Sequence, residues 1–307
     1  MRKRGLTAFA AAAFLAGGCG SGGNATPETT TTGHGSTSGG RTRLKVARVG
    51  SLPQSFSKAA AVALPGGRLM VLGGYTGTGS LDTILAGPPA HLRVVGHLPQ
   101  PTHDAAAVAV GGSVYLFGGG ETVSMPSVVR IDARTGGTTE APALGEPLSD
   151  LGAVAIGGRA YLVGGYTGRQ FASAILRYRP HGAATTVARL PQGTRYAGVA
   201  VASRTIYVAG GLTTGGATRS VYAVSPGGGV RLVATLPAPE DHAALAALGG
   251  RLYLVGGGRV LAIDPRSGRV WLAARLPASL SDPTATTVGR RIVVTGGGTD
   301  GVWTLTR

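Results

Sequence analysis

Cysteine is almost absent: Cys19 is the only one in 307 residues, so no internal disulfide can brace the fold. Lysine is nearly as scarce, present only at Lys3, Lys45 and Lys58. The acidic side is thin too, 13 residues against 29 lysines and arginines, which leaves a formal charge of +16 carried almost entirely by arginine. The uncharged run Gly5–Gly18 is too short for an ordinary spanning helix. No GxSxG, HExxH or GxxxxGK[ST] phrase stands out, which argues against a nucleophile elbow, a zincin site and a phosphate loop. The glycine-rich GGYTGTG after Leu72 has no helix pattern behind it, so it reads as a strand end and loop. Nowhere do basic and aromatic residues interleave as they do in nucleic-acid readers.

What the chain has in quantity is glycine, 54 residues, set among Val, Leu, Ile and Tyr within a 43% apolar composition. That glycine content is too high for a helical protein, and the apolar content excludes wholesale disorder. Many short strands joined by tight turns remain, which makes the chain all-β.

One phrase organises those strands. RLYLVGGG from Arg251 recurs as RLMVLGGY from Arg68, SVYLFGGG from Ser113, RAYLVGGY from Arg159, TIYVAGGL from Thr205 and RIVVTGGG from Arg291. The glycine pairs begin at Gly73, Gly118, Gly164, Gly210, Gly256 and Gly296, at spacings of 45, 46, 46, 46 and 40 residues. A period near this value, with about four strand-sized segments per unit, is that of propeller blades. Each unit repeats an order: a Leu-Pro corner such as Leu98-Pro99, an Ala/Val-rich strand, a Gly-Gly-type turn, the strand ending in the glycine pair, a loop, and two further strands. In the second unit the strands are expected at Ala105–Val110, Val114–Phe117 and about Val128–Ile131. Asp132–Gly137 and Asp264–Trp271 read as the joints between third and fourth strands, each an Asp-capped turn with a Gly available for positive φ.

These glycine pairs after apolar strands resemble kelch repeats, and the resemblance covers Arg43 to Arg307. It implies a six-bladed kelch-type β-propeller. The Tyr that usually follows the pair in kelch blades is kept at Tyr178 and Tyr222, whereas Trp is found only at Trp271 and Trp303. The last unit supplies three strands, ending with Val302–Leu305, and Arg43–Val49 has the character of a fourth strand with no third before it. Residues 43–49 are therefore expected to pair with 302–305 and close the ring, removing two exposed edges. A closed ring of this kind is expected to be monomeric.

Ahead of the propeller, Arg2, Lys3 and Arg4 precede the apolar run, which ends LAGGC at Leu15–Cys19. The segment is similar to a bacterial lipoprotein signal. That implies cleavage after residue 18, lipid on Cys19, and a protein held on the extracytoplasmic side of the bacterial cell membrane. A plain signal peptide or an uncleaved anchor are the alternatives. Residues 20–42 hold no apolar run to bury and read as a flexible linker.

Alternating strand directions sort the loops. Those entering first strands share one face with those following the glycine pairs, while the short turns and the joints share the other. The short-turn face gathers Arg68, Arg159, Arg204, Arg251, Arg290 and Arg291, with Arg134, Arg179, Arg266 and Arg269 nearby. It is expected to lie toward an anionic membrane; solvated arginines with no orienting role are the alternative, and biased composition accounts equally well for the arginine excess.

On the loop face, counting back from each glycine pair reaches a recurrent polar position filled by Lys58, Asp104, Asp150, Tyr196, His242 and Asp282. The residues just before it include His103, Arg195 and Asp241. Together these are expected to ring the mouth of the central channel, as a binding site or as simple partners for loop backbone. Three Asp in one ring raise the thought of Ca²⁺, but whole-blade spacing is imposed by the repeat, so no metal or other cofactor is assigned.

Two functions fit. The first is an envelope-anchored interaction module, its outward loops contacting a protein or a glycan. The second is a carbohydrate-active enzyme at the channel mouth. Kelch propellers include a six-bladed periplasmic sialate mutarotase, for which export and blade number agree with this chain, without a residue-by-residue match. They also include a copper oxidase that needs a Tyr–Cys crosslink, and Cys19 lies outside the propeller. The short fifth loop at Gly258-Arg259 is expected to leave a gap in the rim.

Overall fold

The computed structural model describes residues 42–180 and 182–307. The signal, Cys19 and nearly all of the linker lie outside the described residues. The rest is a six-bladed β-propeller. Blade 1 is ordered Ala60–Leu64, Arg68–Leu72, Thr83–Gly87, Arg93–His97 from the axis outward. Blade 2 follows as Ala106–Val110, Ser113–Phe117, Val128–Asp132 and Thr138–Ala141, and blade 3 as Gly152–Ile156, Arg159–Val163, Ala174–Arg179 and Gly182–Arg189. Blade 4 adds a short ribbon at Leu212–Thr213 to the same plan.

Blade 5 departs from it. Its loop is so short that the second and third segments form one strand, Arg251–Ile263, turning at Gly257 with φ of 54°. The first half pairs with Ala244–Leu248 and the second with Val270–Leu280. At the expected gap in the rim, Arg259 forms an ion pair with Glu240.

Blade 6 closes the ring. Lys45–Phe56 lies antiparallel to Thr299–Thr306, from Lys45 opposite Thr306 to Phe56 opposite Thr299, with irregularities after Arg48 and Ser51. The expected strand at 43–49 thus begins two residues later and continues through Leu52-Pro53. The Leu-Pro corners at Leu236 and Leu276 likewise lie inside strands, Val230–Glu240 and Val270–Leu280, so in these blades the corner is a bend in a continuous strand. Strand entry is anchored as Leu44 donates its amide to the Ala273 carbonyl (2.9 Å) and the Trp271 indole donates to the Thr42 carbonyl (3.2 Å).

Apolar alternation along the strands buries one cluster between each pair of neighbouring blades. Between blades 6 and 1, Leu52 and Phe56 pack with Leu69, Val71, Val293 and Val302. Phe117 and Tyr178 fill the seam between blades 2 and 3, and Trp303 and Tyr253 that between blades 5 and 6. The sparse kelch aromatics thus sit in the seams: Tyr178 is buried with its hydroxyl donating to the Pro142 carbonyl at 2.9 Å, and Trp271 packs against the cluster that holds Trp303.

Candidate site at the channel mouth

The six recurrent polar positions share an unusual backbone. Lys58, Asp104, Asp150, Tyr196, His242 and Asp282 all have positive φ, between 51° and 58°. For a side chain other than Gly this left-handed conformation costs about 1–2 kcal/mol per residue. A belt of hydrogen bonds holds it. Asp104 donates its amide to the Lys58 carbonyl (3.0 Å), Asp150 to Asp104 (2.8 Å) and Tyr196 to Asp150 (3.0 Å). Asp282 donates to His242 (3.0 Å), and Lys58 donates to Asp282 (3.0 Å) across the closing seam. Each bond joins one blade to the next at the start of its innermost strand, so the belt aims the side chains around the axis.

Below the belt the innermost strands present alanines, among them Ala60, Ala106, Ala153, Ala244 and Ala285. Their small side chains leave a cavity of about 180 Å³ along the axis. Beside the mouth, a larger pocket of about 440 Å³ opens over blades 2 to 4. Lys58, Asp104, Asp150 and Tyr196 line both spaces, and His103 and Arg195 join them on the larger one. Six of the nine candidates named from sequence therefore converge. His242 and Asp282 line the axial cavity instead, while Asp241 lines neither space.

The convergent group is a charge network. Lys58 Nζ stands 2.9 Å from Asp104 Oδ2, and His103 Nε2 is 3.5 Å from the same oxygen. Arg195 Nε is 3.0 Å from Asp150 Oδ2, yet its N–H does not point at that oxygen and has no hydrogen-bond partner among the described residues. This contact is therefore Coulombic rather than a directed bond. Ser149 Oγ donates to Asp150 Oδ2 at 3.2 Å and lies 3.0 Å from Ser124 Oγ. The Arg195 guanidinium stacks 4.3 Å from the Tyr196 ring and 5.0 Å from that of Tyr166. On the other side of the axis His242 Nδ1 meets Asp282 Oδ1 at 2.6 Å, and its ring lies 3.9 Å from that of Tyr196.

Burial and neighbouring charge set the proton affinities. The Asp150 carboxyl is pushed up to about 6, first by burial and then by the Asp104 charge, with Arg195 pulling the other way. Asp104 is also raised by burial, against the pull of Lys58, and its charge in turn opposes ionisation of Asp150. Such a pair shares protons rather than titrating as two independent acids. Burial works against the Lys58 ammonium, but the attraction of Asp104 outweighs it and raises the group. His103 is lowered by burial and by Lys58, whereas His242 is raised by the hydrogen bond that its ring makes to the Asp282 carboxylate. The acids thus spend themselves on cations and on each other, and among the described residues no cluster of His, Cys, Asp or Glu is placed to hold a metal ion.

Tyr166 is the site residue that counting from the glycine pairs misses. It follows the pair in RAYLVGGY, bridges to Ser149, and places its ring under Arg195 of the next blade. Tyr75 in RLMVLGGY does the same one blade-pair earlier, its ring 5.1 Å from His103. The signal was present as the aromatic that ends those two copies of the phrase.

No family model matches the chain, and no curated protein matches it. Among solved structures it is similar to that of YjhT, with a TM-score of 0.71 at 13% identity, covering 84% of this chain and 95% of that one. At that identity the likeness is one of fold: a kelch-like propeller with its own loops.

Proposed function

We propose that the chain is an envelope-anchored propeller that binds a glycan unit at its channel mouth. The observation that carries this reading is the convergence of Lys58, His103, Asp104, Asp150, Arg195 and Tyr196 on one pocket. Carboxylates, ammonium, guanidinium and phenol together give the mixed donors and acceptors that a polyhydroxylated ring requires, and Tyr166 lends an aromatic edge to the same pocket. A volume of about 440 Å³ suits one or two sugar rings better than a protein segment. Of the large exposed apolar side chains among the described residues, Val94, Val123, Leu232 and Leu272, only Val123 borders the pocket, so the described loop face lacks the apolar centre of a protein interface.

Titration of wild type and Asp104→Ala/Arg195→Ala against a panel of cell-envelope glycans and sugar acids tests this. Binding by wild type and at least a tenfold loss in the variant is expected; equal binding by both removes the mouth as the site.

A second reading is favoured by the raised carboxyl. A group that gains and loses a proton at about 6, beside a second carboxyl with which it shares protons, is suited to general acid–base work on a bound sugar. The chain would then be a carbohydrate-active enzyme of the mutarotase or epimerase type. Anomeric exchange followed by NMR on whichever sugar binds separates the two. Exchange no faster than the buffer blank leaves binding alone, whereas acceleration lost in Asp150→Asn with binding retained establishes catalysis.

A further inference from the structure

The ion pairs of the described residues share one end of the molecule. Lys58–Asp104, His103–Asp104, Arg195–Asp150, His242–Asp282, Arg259–Glu240, His97–Asp82 and Arg48–Asp300 all lie at the loop face or on its flank. The opposite face has no such pairing. Arg134, Arg159, Arg204, Arg266, Arg269 and Arg290 are exposed on its turns and joints, and among the described residues none has a carboxylate within 4.0 Å. The acids of this face, Asp132 and Asp264, are turned inward on their own loops. Asp132 Oδ1 accepts the amides of Arg134 (2.9 Å) and Thr135 (2.8 Å), and Asp264 Oδ1 that of Arg266 (3.0 Å).

The chain also enters the propeller at this face. Lys45 stands opposite Thr306 at the foot of blade 6, and Arg307 reaches the Leu248 and Gly249 carbonyls of the blade 5 turn, both at 2.9 Å. Thr42 is held by Trp271, whose strand follows the Asp264–Arg269 joint. Thr42, the first described residue, therefore lies on the cationic side.

From these two observations together we infer that the short-turn face is a docking surface for an anionic lipid bilayer. Exposed guanidiniums without intramolecular partners lose little on meeting phosphate, and guanidinium geometry matches phosphate oxygens. An anchor emerging from the same face brings it to the leaflet and turns the channel mouth outward. Each arginine held near an anionic surface multiplies binding by roughly fivefold, an effect that salt screens.

The experiment uses the full chain with vesicles of phosphatidylcholine, and with vesicles in which part of it is replaced by phosphatidylglycerol. Arg159→Gln/Arg290→Gln removes two charges from the docking face; Arg48→Gln/Arg169→Gln removes two from the loop-side half. Thermal unfolding verifies that both fold. Wild type should prefer the anionic vesicles, the first variant should lose that preference by roughly tenfold or more, and the second should keep it. A wild type indifferent to phosphatidylglycerol, or equal losses in the two variants, overturns the proposal. So does wild-type binding to a soluble acidic polysaccharide without any vesicle preference.

Discussion

Asp150 is the residue where burial, a like charge and a cation meet, and its titration is a stability statement. Folded Asp150 holds its proton up to about 6, whereas an ordinary carboxyl releases it near 3.8. Between those values the folded state binds more protons than the unfolded one, so this group's contribution is complete below 3.8 and is lost as pH rises through about 6. Urea unfolding of wild type should show stability declining across that window, and Asp150→Asn should flatten the decline. An unchanged slope in the variant would mean that the carboxyl is not held protonated. His242, raised by Asp282, acts in the same direction at higher pH. The identities at these positions were legible by counting back from the glycine pairs. That Asp104 and Asp150 share protons while Asp241 stands apart was not, because it depends on which way each side chain leaves the belt.

At the scale of the element, the glycine pair ends the second strand of blades 1 to 4 for a reason that lies at the entry to the next blade. Gly118 has φ of 59°, and a Cβ there would lie 2.0 Å from the Leu148 carbonyl oxygen of the corner leading into blade 3. Gly73, Gly164 and Gly210 repeat this against Thr102, Thr194 and Glu240, each at 2.2 Å. Gly111, in a short turn, has φ of 60° but open space around it. Gly118→Ala should therefore cost about 3 kcal/mol or more, combining strain with a backbone collision. Gly111→Ala should cost only about 1–2 kcal/mol, from φ alone. Chemical denaturation of the two variants checks the difference. The pair was visible as a motif; the carbonyl it accommodates was not, since ALGEP in the third unit is a degenerate corner whose partner lies some 30 residues away.

The whole molecule is a ring whose last blade is made from both ends of the chain. Leu52 and Phe56 of the first strand bury against blades 6 and 1 together, so that strand joins two seams as well as capping an edge. A chain beginning at Gly50 loses Leu44, Val46 and the lower half of the closing ladder. Its melting temperature should fall by roughly 5–10 °C, the shift expected for a few kcal/mol in a domain of this size. An unchanged melting temperature would mean that the closure adds nothing to stability. The same ring has two unlike ends, one where acids and cations are paired around a pocket and one where arginines face solvent with no carboxylate partner among the described residues.

Blade number, strand order and closure by residues near 43–49 followed from the sequence by itself. These features rest on local signals, apolar alternation and glycine at places where the chain must turn, and on a period that survives degeneration of the aromatics. Only the tertiary structure decided which polar residues meet. Lys58, Asp104, Asp150 and Tyr196 are separated by 46 residues at each step, and their approach depends on the radius left by alanine-lined inner strands and on the left-handed backbone that aims them. It also decided that blade 5 would turn without a loop and that the arginines of the short-turn face would have no carboxylate partner among the described residues. Pairing is a property of distance across blades, and a repeat written along the chain carries no record of that distance.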